Sequence, residues 1–374
     1  MSTSALAELT AHATDRMAEA RRWRAAGRQV VGYVGADTPV ELLTAAGMLP
    51  VRLGGAPDGD SREGDRYLGR GLDPAARSLL SRLLAGDYGH LDGLVVSRDC
   101  EASSRLFYAL RELRRIEPSV GLPPVHLVDV LHLPHHTTTR YVQAMLRQLR
   151  GTLEAWAGHE ITDDEVGAAI GAHDRLRTRL AELAEARRAR PARLTGTRML
   201  SVLAATQTLP VERATELVEK LLAEVPSLRE VHGRRTFLTG SGHDTVDVYS
   251  ALEAAGLLIV GEDHDWGELP QRHRVGAPTE LALAERYQHN GPTAPRASIR
   301  DRAAHTATAA RACAAEVLLS YVRVHDDAPP WDFPAQRATT GLPAALLERQ
   351  PYGALTEDAM KTVAMLRDGQ EVRA

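Results

Sequence analysis

Short apolar runs alternate with longer amphipathic stretches in the first third of the chain. The runs that we predict as strands lie at residues 30–34, 48–53, 91–97 and 125–130, and helical periodicity is found at 4–26, 79–84 and 102–115. Apolar runs of this length, bounded by Gly, Pro and Asp, are typical of buried strands. Strands that alternate with helices predict a parallel α/β sheet.

A helix-start pattern follows the first predicted strand. Thr38 precedes Pro39, and Glu41 lies three residues after Thr38. These residue types match the preferences of the N-cap, the first helical position and the closing residue of a capping box. We therefore predict a short helix that is capped by Thr38 and ends at Gly47.

The pattern changes between residues 137 and 229, where helical periodicity continues without a strand candidate. Thr162 and Glu165 have the spacing of a second capping box. Alternation then returns, with predicted strands at 236–239, 257–260, 316–322 and 344–347 and predicted helices at 246–255, 302–315 and 356–367.

This organisation predicts an α/β protein with two doubly wound parallel-sheet domains that face a cleft. The first domain, with an N-terminal helix, covers residues 1–136. A helical region covers 137–229, and the second domain covers 230–374. The two α/β halves resemble distant copies of one plan.

Composition excludes several classes of protein. The net charge is −4, aromatic residues make up 4%, and no apolar run is long enough to span a membrane, so we expect neither a nucleic-acid partner nor a membrane. Cys100 and Cys313 are the two cysteines of the chain. That number excludes a disulfide framework and a cluster bound by four cysteines of this chain, and it predicts a cytoplasmic protein.

Three polar segments directly follow predicted strands, at residues 98–101, 262–266 and 323–327. Ligands of parallel α/β sheets bind beyond the carboxyl ends of the strands. If the two sheets face each other, the three segments meet at one cleft. Cys100, Asp265 and His325 are the candidate metal ligands among them.

Four stretches of the chain resemble one family in the same order. They include PVEL (39–42) followed by AAGMLPVR (45–52), LDGLVVSRDCEASSRLFYAL (91–110), RTFLTGSGHDTVDVYSALEAAGLLIVGEDHDWG (235–267) and EVLLSYVRVHDDAPPWDFPAQRATTGLPAALLE (316–348). These stretches resemble the subunits of 2-hydroxyacyl-CoA dehydratases and benzoyl-CoA reductases.

The resemblance implies a subunit that pairs with a homologous subunit or a second copy. It also implies a [4Fe-4S] cluster held by three cysteines in the cleft, an ATP-dependent activator protein that supplies one electron, and an acyl-CoA thioester that becomes a ketyl radical. The enzyme expected from the resemblance is an (R)-2-hydroxyacyl-CoA dehydratase-like lyase or a reductase.

This chain departs from the family pattern at the expected ligands. Cys100 matches the first cysteine, but Asp265 and His325 lie where the other two are expected. Histidine is an accepted ligand of iron–sulfur clusters, whereas carboxylate is rare. Three interpretations therefore stay open: a cluster with atypical ligands, another metal such as zinc or mononuclear iron, or no metal.

Other side chains are candidates for binding or proton transfer. By resemblance, Glu41 is either the acid–base residue near the thioester or only a capping residue. Arg98 could pair with a carboxylate or phosphate, and the backbone N–H groups at Ser241 and Gly242 could bind an anion. We expect a subunit that binds an acyl thioester in the cleft. The alternatives are a cluster-free, non-catalytic partner of a catalytic homologue, and a different metal-dependent chemistry on the same fold.

Overall fold

The computed structural model describes residues 4–293 and 296–370, and within them two parallel sheets of four strands each. The first sheet has the order β2-β1-β3-β4. Its strands are β1 (Val30–Val34), β2 (Leu49–Arg52), β3 (Gly93–Ser97) and β4 (Val125–Val128).

The second sheet has the order β6-β5-β7-β8, the same order as the first when the strands are counted within each sheet. Its strands are β5 (Arg234–Gly240), β6 (Leu257–Glu262), β7 (Val317–Arg323) and β8 (Ala344–Gln350). Every pair in both sheets is parallel. The predicted fold class is confirmed, and the shared order agrees with two copies of one plan.

Helices cover both sheets and fill the region between them. They are α1 (Ala5–Thr14), α2 (Ala18–Ala25), α3 (Val40–Ala45), α4 (Arg62–Leu68), α5 (Pro74–Ala85), α6 (Glu101–Ile116), α7 (His136–Ala157), α8 (Asp163–Arg188), α9 (Gly196–Thr206), α10 (Val211–Glu224), α11 (Asp247–Ala254), α12 (Glu280–Gln288), α13 (Ile299–Ala312), α14 (Ala328–Thr340) and α15 (Glu357–Arg367). None of the helices in these described ranges combines the length and the apolar character needed to cross a bilayer.

The central helices belong to more than one apolar core. Leu149 of α7 packs in the same core as Val95 of β3, and Tyr287 of α12 joins that core from the second half of the chain. Leu200 of α9 packs on the second sheet with Ile259 of β6. A third core joins α1, α8, α9 and α10. The domain boundaries stay a prediction, because helices from the middle region cover both sheets.

Two predicted helix starts have different outcomes. The capping box of Thr162 and Glu165 is confirmed at the start of α8. The N-cap at Thr38 is wrong, because α3 begins one residue later than predicted, after Pro39, and has no side-chain cap. Glu41 closes no capping box, since its carboxylate bonds instead to the side chains of α8 and α12.

Candidate functional site

A cleft of about 730 Å³ lies between the two α/β halves. Residues from all three predicted polar segments line it, including Cys100, Asp265 and His325. They meet there because they follow β3, β6 and β7, whose carboxyl ends face the same space. The tertiary structure therefore brings together residues that are far apart along the chain.

Asp265 is engaged in an ion pair with Arg52. The Arg52 Nη2 atom lies 2.7 Å from the Asp265 Oδ2 atom, and Nη1 donates to the backbone oxygen of Asp265 at 2.9 Å. The guanidinium also lies 3.7 Å from the centre of the Trp266 ring. The Arg52 side chain is 3% exposed, so the cation of this ion pair is shielded from water. The carboxylate predicted as a metal ligand is thus already neutralised by a fixed cation.

A second ion pair joins the halves at the cleft. Arg323, at the end of β7, donates through Nε and Nη2 to the two carboxylate oxygens of Asp73, at 2.8 and 2.7 Å. Asp73 caps α5, and Arg323 Nη1 donates to the backbone oxygen of Gly242 at 2.6 Å. This two-pronged geometry is the strong form of an Arg–carboxylate pair. It fixes the end of the second sheet against the first half.

Cys100 is exposed in the cleft and caps α6. Its sulfur accepts a hydrogen bond from the backbone N–H of Ser103 at 3.4 Å. Desolvation among the surrounding protein atoms, followed by the charge of Asp99, raises the pKa of the thiol to about 12. Without a bound metal, the protonated thiol is a poor nucleophile at neutral pH.

The three predicted ligands do not fit an iron–sulfur cluster. His325 is exposed and adopts a left-handed backbone conformation, with φ of +66°. Asp265 is paired with Arg52, and Cys100 is the one thiol among the three predicted ligands. In residues 4–293 and 296–370, no group of three or more His, Cys, Asp or Glu side chains is arranged to hold a metal ion. Among the described residues, the three predicted positions therefore supply one thiol, one paired carboxylate and one imidazole in place of three thiolates.

Asp263 is a cleft residue that the sequence analysis did not single out. Its Oδ2 atom accepts a hydrogen bond from the Thr306 hydroxyl at 2.7 Å, and Gln336 supports that hydroxyl at 3.0 Å. Burial raises the pKa of Asp263 to about 6, although bonds from Thr306 and Thr239 oppose the shift. A carboxyl group with this pKa can hold or release a proton near neutral pH.

Glu41 lies outside the cleft lining and is fully buried. Its carboxylate is paired with Arg177 and accepts a hydrogen bond from the Tyr287 hydroxyl at 2.8 Å. Burial alone would raise the pKa of Glu41, but the guanidinium of Arg177 lowers it to about 2. A carboxylate held in this way links α3 to α8 and α12, and its role in proton transfer stays a prediction.

The predicted substrate-binding residues occupy different places. Arg98 is exposed and donates to Asp129 at 2.8 Å, outside the cleft lining. Ser241 is buried, and its hydroxyl accepts from the backbone N–H of Arg323 at 2.9 Å. Gly242 lines the cleft. Of these three residues, Gly242 is the one that a cleft ligand could contact directly.

Gly240→Ala is expected to lower the free energy of unfolding by about 2 kcal/mol. The φ of Gly240 is +105°, and an added Cβ would lie 2.2 Å from the backbone oxygen of Tyr321. Gly27 is the matched control: its φ is +73°, but no atom lies within 4 Å of the added Cβ, so Gly27→Ala should cost about 1 kcal/mol. Urea denaturation measures both losses, and equal losses would contradict the steric argument.

The sequence of this chain matches one family of known proteins. The model of the family described as 2-hydroxyglutaryl-CoA dehydratase, D-component, matches residues 36–323. That span contains strands β2 to β7, together with Cys100 and Asp265. The chain belongs to this family.

Three similar proteins have names that state an activity. The chain is 21% identical to the (R)-phenyllactyl-CoA dehydratase beta subunit of Clostridium sporogenes, over 86% of each chain. It is 26% identical to a benzoyl-CoA reductase subunit of Thauera aromatica, over 66% of this chain and 64% of the relative. It is 22% identical to the beta subunit of (R)-2-hydroxyglutaryl-CoA dehydratase of Acidaminococcus fermentans, over 70% of this chain and 68% of the relative.

Proposed function

We propose that this chain is a cytoplasmic subunit of a 2-hydroxyacyl-CoA dehydratase-like or benzoyl-CoA reductase-like assembly. In this proposal it binds an acyl thioester in the cleft and carries no iron–sulfur cluster of its own. The observation that carries the proposal is the pairing of Asp265 with Arg52 inside a cleft that also contains Cys100 and His325.

The size and lining of the cleft support a thioester ligand. Its volume of about 730 Å³ is in the usual range for small-molecule sites. Asp263 is available for proton transfer at one side of the cleft, and Leu72, Leu79 and Leu106 supply apolar side chains to its lining. These groups suit an acyl group with a polar carbonyl better than they suit an inorganic cluster.

The names of the relatives support a partner subunit. Each of the three relatives is named as one subunit of a dehydratase or reductase. A homologous subunit or a second copy would supply the cluster-based chemistry that this donor set does not support. An ATP-dependent activator would then act on that partner.

A second candidate is a non-catalytic partner that only completes the interface of a catalytic homologue. The loss of two of the three expected thiolates favours it. It differs from the first proposal in one measurable respect, because a purely structural partner has no need to bind a thioester in its own cleft.

Reconstitution with iron and sulfide tests the cluster-free proposal. We expect the anaerobically purified chain to retain no more iron than its Cys100→Ala variant, because the remaining donors are neutralised or exposed. The measurements are elemental iron and visible absorption after desalting. Stoichiometric iron with a broad visible absorption that disappears in Cys100→Ala would overturn the proposal.

Thioester binding distinguishes the two candidates. Isothermal titration with butanoyl-CoA should give saturable binding if the cleft holds a thioester. If neither butanoyl-CoA nor other acyl-CoA compounds give heat in the titration, the structural partner is the better interpretation.

A further inference from the structure

Arg296 is a buried cation on the wall of the cleft that the proposed function does not use. Its side chain is 2% exposed, and it lines the same cleft as Cys100 and Asp265. A buried arginine normally uses all its N–H groups, because each unpaired donor costs free energy.

The arginine is held from one side. Its Nη2 atom lies 2.9 Å from the Asp37 Oδ1 atom. Asp37 is itself fixed by His132 Nε2 at 3.0 Å and by Asn290 Nδ2 at 3.2 Å. The position of the guanidinium is therefore set by a buried network and does not depend on a ligand.

The remaining nitrogens of Arg296 are unsatisfied. Neither Nε nor Nη1 has a hydrogen-bond partner among the residues that the structure describes. Both atoms belong to a side chain that is more than nine-tenths buried and that lines the cleft. An oxygen acceptor of a molecule bound in the cleft could satisfy these donors once it reaches nitrogens that protein atoms cover in this structure.

The surrounding charges favour a neutral acceptor. Asp37, Asp99 and Asp265 all lie within electrostatic reach of Arg296, and Arg52 neutralises Asp265. The positive charge of Arg296 is therefore already balanced by carboxylates. An added anion would meet these carboxylates at close range, whereas a carbonyl oxygen accepts a hydrogen bond without adding charge.

We propose that Arg296 binds the carbonyl oxygen of the acyl thioester through Nη1 or Nε. This inference rests on the proposed function, because it requires the thioester to enter the cleft. Arg296 then orients the acyl group by a charge-assisted hydrogen bond, which is stronger than a neutral one.

The test compares butanoyl-CoA with S-butyl-CoA, the thioether that lacks the carbonyl oxygen. We expect wild-type protein to bind the thioester at least about tenfold more tightly, as one hydrogen bond to a charged group allows. Arg296→Met should remove this preference, so that the two compounds bind with about equal affinity. Arg296→Lys should keep part of the preference. Isothermal titration of each protein with each compound measures the affinities.

Arg286→Met is the matched control. Arg286 is also buried, but it donates to the backbone oxygens of Pro270 and His273 and does not line the cleft. Its loss should leave the preference for the thioester unchanged, and thermal unfolding of each variant reports the fraction folded.

The outcomes separate the two proposals. If wild-type protein binds both compounds equally, or if Arg296→Met keeps the full preference, the role of Arg296 is overturned while thioester binding in the cleft stands. If neither compound binds to wild-type protein, the proposed function fails, and the inference fails with it.

Discussion

Arg187→Met is expected to lower the free energy of unfolding by about 3–5 kcal/mol, the largest effect that we predict for a single side chain. Arg187, near the end of α8, pairs with Glu262 and Glu268, and the exposed fractions of the three side chains are 1%, 1% and 6%. Burial would lower the pKa of Arg187, but the two carboxylates raise it. Removal of the cation leaves the buried carboxylate of Glu262 without its ionic partner, whereas Glu268 keeps its pair with Arg188.

Arg179→Met supplies the control on the same helix. Arg179 pairs with Glu182 and Glu219, but its side chain is 41% exposed. Exposed ion pairs contribute about 0–1 kcal/mol, so this variant should unfold almost as wild type does. Guanidinium denaturation followed by circular dichroism measures both. If both variants lose the same free energy of unfolding, burial of the Arg187 ion pairs is not the source of the stability.

Glu41→Gln is expected to cost about 3 kcal/mol at pH 7. Gln keeps an acceptor for the Tyr287 hydroxyl but removes the charge that faces Arg177. Arg177 would then keep only Asp174 as an ionic partner, at 2.9 Å. The size of the loss matches the shift of the Glu41 pKa from 4.5 to about 2.

The pH dependence of this difference follows from the same shift. The folded pKa is lowered, so the contribution of Glu41 is present above the unfolded pKa and is lost as the pH falls from about 5 toward 2. Wild type and Glu41→Gln should therefore differ most near pH 7 and converge near pH 2. Thermal melts across this range test it. A constant difference would contradict the assigned pKa.

Glu41→Gln also separates structure from chemistry. If Glu41 transfers a proton during turnover, the variant loses activity in an assembled enzyme even at temperatures where it is fully folded. If Glu41 only holds α3 against α8, activity per folded molecule is retained. The contacts with Arg177 and Tyr287 support the second outcome.

The strands were predictable because their sequence signal is local. Predicted strand 30–34 has the bounds of β1, and the predicted strands in both halves correspond to β2–β8 within a few residues. Buried parallel strands are continuous apolar runs, and this chain ends them with Gly, Pro or Asp. The order of the strands within each sheet was not predicted and comes from the structure.

Three helices were missed from the sequence. The sequence analysis did not predict α4, α12 or α14. α14 begins with Ala328-Pro329-Pro330 and contains Pro334, which disfavours a helix on local grounds. α12 is short, and it is stabilised through Tyr287 in the core of the first sheet. Tertiary packing outweighed local propensity in α14. In α12 the local signal was present and was missed, because good helix formers follow the N-cap residue Thr279.

Some residues of the site had a signal in the sequence, and others had none. The residue types after β3, β6 and β7 identified where polar side chains would face a ligand, and the missing cysteines raised doubt about a cluster. Arg52 and Arg296 had no comparable signal, because isolated arginines are common and their partners lie far along the chain. Their importance comes from burial and pairing, which only the folded chain creates.

The sequence by itself determined the two parallel sheets, the three polar segments at their ends and the absence of a full set of thiolates, because each of these depends on neighbouring residues. The tertiary structure decided the state of each side chain. It paired Asp265 with Arg52, buried Glu41 against Arg177 and left two nitrogens of the cleft-lining Arg296 without a hydrogen-bond partner among the residues that the structure describes. Pairing and desolvation depend on distances across the fold, and no local pattern encodes them.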